Sequence, residues 1–131
     1  MARVNEALLT RWFGGRFVWG ERDCCASACS AFAEIYGFDP MVELRGLYAS
    51  RREAHSVIAD RGGLRLVAMD LARKNGLVWR QREPARGGDI ALIGEGKCPS
   101  LGLAIGNGWF AAKGPKGLVV VGHALECWGP A

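Results

Sequence analysis

The sequence predicts an α+β domain, with helices in the first half and an antiparallel sheet in the second. Two observations carry this. Up to Gly76 the apolar residues recur at helical spacing, whereas from Val78 onward they fall into short runs separated by turn residues. Most of the 19 glycines also lie after Arg86, as expected of a tightly turned sheet. Helices followed by strands, without alternation, belong to the α+β class. The chain has 131 residues, half of them hydrophobic and 23% charged, which suits one core in one globular domain. No linker divides it, so residues 1–131 are read as a single domain.

Taken in order, Val4, Leu8, Leu9, Trp12 and Phe13 give an amphipathic helix over 4–13 that stops at Gly14-Gly15. Residues 23–36 form a second helix. Asp23 is its N-cap and Gly37 its stop, and its many small residues (Ala26, Ser27, Ala28, Ser30, Ala31, Ala33) make it central and buried. Asp39-Pro40 breaks the chain. Ser50-Arg51-Arg52-Glu53 is a capping box that starts a short helix through Ala59. Residues 64–75 are a fourth helix with Leu64, Val67, Ala68 and Leu71 facing inward. Strands are expected at 78–79, 89–93, 101–105, 109–112, 118–121 and 124–128. Gly114-Pro115-Lys116-Gly117 is the turn of a hairpin. Gly106-Asn107-Gly108 also reads as a hairpin turn, because no helix and no Lys-Ser or Lys-Thr pair follows it, as a phosphate loop would require. The five tryptophans read as core or cleft walls.

The net charge is +4, spread along the chain without a block of one sign. This reads as a solvated surface, and no recognition motif supports specific nucleic-acid binding. No apolar run approaches membrane-spanning length, and the N-terminal residues lack the pattern of a signal peptide. Five cysteines, two of them adjacent, fit synthesis in a reducing cytoplasm.

The chemistry-bearing stretch is Asp23-Cys24. A cysteine at the first position of a helix feels free amides and the positive end of the helix dipole, both of which favour the thiolate nucleophile. The alternative is a small buried residue at a crowded helix start. The two histidines, His55 and His123, are available as bases. His123 is the stronger candidate, because an edge strand can reach a cleft, although a histidine without a functional role is the commoner case. Four thiols, Cys24, Cys25, Cys29 and Cys98, could together hold zinc or an iron–sulfur cluster. Their spacing contains no Cys-x-x-Cys, so buried thiols on a packed helix is the stronger reading, and no metal or other cofactor is expected.

Trp19-Gly20, Asp23-Cys24 at a helix start, Gly88-Asp89 entering a strand, and Leu101-Gly102-Leu103-Ala104-Ile105-Gly106-Asn107-Gly108 stand in an order that resembles the NlpC-type, papain-like cysteine peptidases of peptidoglycan. The resemblance implies a papain-like fold, with N-terminal helices packed on a C-terminal antiparallel sheet. It also implies that Cys24 holds the nucleophile position. The family's histidine falls at Ser100 and its next polar partner near Ala112, and neither side chain can serve as a base. Small relatives with degraded triads occur in phage and prophage tail-gene clusters. The resemblance therefore implies an inactive tail-tip or tail-assembly component, made in the host cytoplasm, located in the virion tail and contacting other tail proteins. The alternative is an active hydrolase acting on peptidoglycan through Cys24 and an unconventional base such as His123.

Overall fold

The computed structural model describes residues 4–81, 83–94 and 99–131. Among them it has four α-helices, α1 (Glu6–Phe13), α2 (Cys24–Tyr36), α3 (Arg51–Asp60) and α4 (Leu64–Lys74), and a one-turn 3-10 helix at Val42–Leu44. Six strands follow: β1 (Val78–Trp79), β2 (Ile90–Ile93), β3 (Ser100–Gly106), β4 (Trp109–Lys113), β5 (Leu118–Val121) and β6 (Glu126–Gly129). The α+β expectation holds, and all six strands join one antiparallel sheet in the order β1-β6-β2-β3-β4-β5.

Side-chain caps fix three of the four helix starts. Asn5 accepts the Leu8 amide at 2.9 Å, so α1 begins at Glu6 rather than at Val4. Asp23 accepts the Ala26 amide at 2.9 Å, and α2 ends at the left-handed Gly37. Ser50 accepts the Glu53 amide at 3.1 Å, while the Glu53 carboxylate reaches back to the amide of Ala49 at 2.9 Å, one residue earlier than the usual reciprocal bond. The 3-10 helix lies in a stretch without periodicity. It is held by tertiary contacts: Asp39 accepts from Met41 N at 3.0 Å and from Arg45 Nε at 2.9 Å, and Arg45 also donates to Ser30 of α2 at 3.0 Å.

Strand alternation separates two apolar faces. Leu101, Leu103 and Ala111 face the helices and join Leu8, Phe13, Phe32, Ile35 and Val67 in the main core. Ala91, Ile93, Ala104, Phe110, Ala112 and Cys127 form a smaller cluster on the other face. The chain between β5 and β6 passes over this second face, with Ala124 packed against it. Hence β6 begins at Glu126 and not at Ala124: Ala124 is used for packing, and Leu125 N bonds Leu92 O at 2.8 Å. Asp89 lies just before β2 and is fully buried. It accepts from Arg80 Nε at 3.0 Å, from a terminal nitrogen of Arg80 at 3.1 Å, and from Arg86 N at 2.9 Å. Gly129 of β6 has no room for a Cβ, which would overlap the Asp89 carboxylate. Lys113, also buried, donates to the carbonyls of Gly15 and Gly114 and ties the end of α1 to β4. No described helix is long and apolar enough to cross a membrane.

Candidate functional site

Cys24 is the first residue of α2, directly after the Asp23 cap. The turn before it is built around the same carboxylate. Gly20 N donates to Asp23 Oδ2 at 2.7 Å, with Gly20 at φ +85°, and a Cβ there would lie 2.6 Å from the Tyr48 carbonyl oxygen. Only glycine meets both the positive φ and this close approach. The Trp19-Gly20 dipeptide and the Asp-Cys pair are thus parts of one structure.

Strand β3 crosses α2 beside Cys24, and the Leu101 amide hydrogen bonds to its sulfur. The Cys25 sulfur lies 3.9 Å from that of Cys24. The hydrogen bond from Cys25, then the Leu101 amide, hold the Cys24 thiol below the ordinary cysteine value, against burial and the Asp23 charge. The hydrogen bond shared with Cys24 and burial push the Cys25 thiol well up, so Cys25 keeps its proton. Of the two, Cys24 is therefore the thiolate-forming sulfur, and it is half-buried where Cys25 is buried.

A cavity of about 30 Å³ lies against this pair, walled by Trp19, Asp23, Met41, Leu44, Tyr48, Ala54, Val57, Ile58 and Val67. That volume holds a water molecule and not a peptide. Burial first, then the Asp23 charge and a hydrogen bond to Asp23, push the Tyr48 hydroxyl upward. Tyr48 and the α3 wall are absent from the sequence-based site. They reach it from an irregular stretch and from a helix whose buried face is a single residue, Ala54, so no periodicity marks them.

The other expected residues are dispersed. Ser100 opens β3, half-buried, directly before Leu101. Ala112 is buried in the second apolar cluster, paired with Gly102. His123 is exposed in the segment between β5 and β6, which covers the sheet face away from α2. His55 is exposed on α3, with its ring edge-on to Trp19 at a centroid distance of 6.3 Å. His55, not His123, is therefore the histidine beside the cavity wall. Gly88-Asp89 serves the Arg80 ion pair. Of the four thiols weighed as a metal set, Cys98 lies outside the described residues. Cys29 is buried one turn beyond Cys25, where burial pushes its thiol up, and it does not join the close group. That group is Asp23, Cys24 and Cys25, whose ligand atoms all lie within 4.8 Å of one another.

Comparison with curated proteins gives no significant match. A family model described as "Domain of unknown function (DUF6950)" matches residues 2–129. This match spans both halves of the α+β architecture and the whole Cys24 site, and the chain belongs to that family.

Proposed function

We propose that this protein is a structural component of a bacteriophage tail tip or its assembly, built on an NlpC-like, papain-like scaffold whose catalytic centre no longer operates. The observation that carries the loss of catalysis is the surroundings of Cys24. A thiol at a helix N-terminus is packed against a β-strand, but its hydrogen-bonding neighbours are Cys25 and the Leu101 amide. Serine stands at the start of that strand, and a buried alanine stands on the next one. A thiolate without a positioned acid cannot protonate the leaving amine of a peptide. The narrow cavity supports the same reading, since a stem peptide does not fit within about 30 Å³. The tail placement, with other tail-tip proteins as partners and the virion tail as location, rests on the resemblance of the ordered motifs. The scaffold then serves for docking.

The test is incubation of the purified protein with muropeptides beside its Cys24→Ala variant. No cleavage by either is expected. Cleavage that disappears in the variant would overturn the structural reading in favour of a hydrolase. One observation favours that second reading: the lowered Cys24 thiol lies beside a cavity whose Trp19 wall carries His55. His55→Ala would then abolish the cleavage as well.

A further inference from the structure

We propose that Asp23, Cys24 and Cys25 form a site for one tetrahedral, thiophilic divalent cation of the zinc class. The inference stands apart from the tail-tip reading and rests on local geometry. Two Zn–S bonds of about 2.3 Å at the tetrahedral angle set their sulfurs about 3.8 Å apart. The sulfurs of Cys24 and Cys25 are 3.9 Å apart. Adjacent residues inside a helix point about 100° apart, so this approach is not a consequence of helix geometry alone. Cys24 occupies the first helical position, with the Leu101 backbone of β3 beside its sulfur.

The third ligand is already oriented. Asp23 is 1% exposed, and each of its carboxylate oxygens accepts a backbone amide, Oδ1 from Ala26 at 2.9 Å and Oδ2 from Gly20 at 2.7 Å. After these bonds the carboxylate still has a lone pair free for a metal, and a ligating carboxylate is itself usually held by hydrogen bonds of this kind. The Tyr48 hydroxyl adds a bond to the same group. The cavity beside the trio has room for one water as the fourth ligand.

The charges agree with the location. Two thiolates and a carboxylate carry −3. A divalent cation leaves −1, and the positive end of α2 stabilises a net anion. On binding, both thiol protons leave to solvent as two metal–sulfur bonds form. A cation held there also removes Cys24 from nucleophilic chemistry. This trio differs from the four-cysteine set weighed in the sequence, since it takes a carboxylate and leaves out Cys29.

The experiment uses the full chain, kept reduced and titrated with cobalt(II) at neutral pH. One equivalent is expected to bind with thiolate-to-metal charge-transfer absorbance and the visible bands of tetrahedral cobalt, both removed by one equivalent of zinc. Cys24→Ser and Cys25→Ser should each weaken binding by at least about tenfold, with unchanged far-UV circular dichroism, while Cys98→Ser leaves it as in the parent. Absence of the charge-transfer bands in the parent overturns the proposal, as does their persistence in both serine variants.

Discussion

Asp89 is a fully buried carboxylate directly before β2. In the fold it is the buried half of an ion pair with Arg80, closed off by the backbone of Gly129. Removing one partner of a buried pair leaves the other charge without compensation, at a cost of about 3–5 kcal/mol. Asp89→Asn is therefore expected to lower the unfolding free energy by an amount in that range, measured by denaturant titration. A loss below about 1 kcal/mol would mean that Arg80 finds water instead, since exposed pairs contribute only that much. Cys24 is legible in the sequence. Its position after a good N-cap was readable from Asp23, and the structure places it there. The 3.9 Å approach of the Cys25 sulfur has no sequence signal, because it is set by side-chain placement and not by residue spacing.

At the scale of elements, α3 forms one wall of the cavity beside Cys24. It buries only Ala54 fully and leans on the cavity through Val57 and Ile58. Elements with few buried contacts open at a fraction of the global free energy. The Ser50 cap, with Glu53 bonded back to Ala49, holds its start. Ser50→Ala should cost about 1 kcal/mol. If Cys24 is reached through opening of α3, that cost raises its alkylation rate about fivefold. An unchanged rate, read by mass spectrometry of the labelled peptide, would show that the thiol is reached without movement of α3. The sequence disclosed this helix through its capping box. It did not disclose what the helix covers, because its apolar face is too narrow to show a partner.

Across the whole molecule, the buried thiols set the alkaline limit of the fold. Burial pushes Cys127, in the second apolar cluster, from 9.0 to about 12, and Cys29 is pushed up by burial in the main core. A folded value above the unfolded one means that the stability is fully present below pH 9.0 and is lost as pH rises toward about 12, because only the unfolded chain gives up its proton easily. Lys113 acts in the opposite sense: burial lowers its ammonium, so its cost declines as it loses its proton. Chemical unfolding at about pH 8 and about pH 10.5 should show lower stability at the higher pH, and Cys127→Ala should reduce that difference. An equal difference in the variant would remove Cys127 as a cause.

Local spacing and capping chemistry are enough to specify the order of elements, the capped starts of α2 and α3, and the α+β class. The sequence also places Cys24 at the start of α2, with Ser100 and Ala112 following at their places in the chain. What surrounds Cys24 is set when the helices dock on the sheet. Asp23 is shared between the Gly20 turn and the helix, Cys25 and Leu101 supply the hydrogen bonds, and Tyr48 with α3 closes the cavity. These groups come from positions more than twenty residues apart as well as from neighbours, and a single chain carries no periodic signal for contacts formed only when helices dock on a sheet.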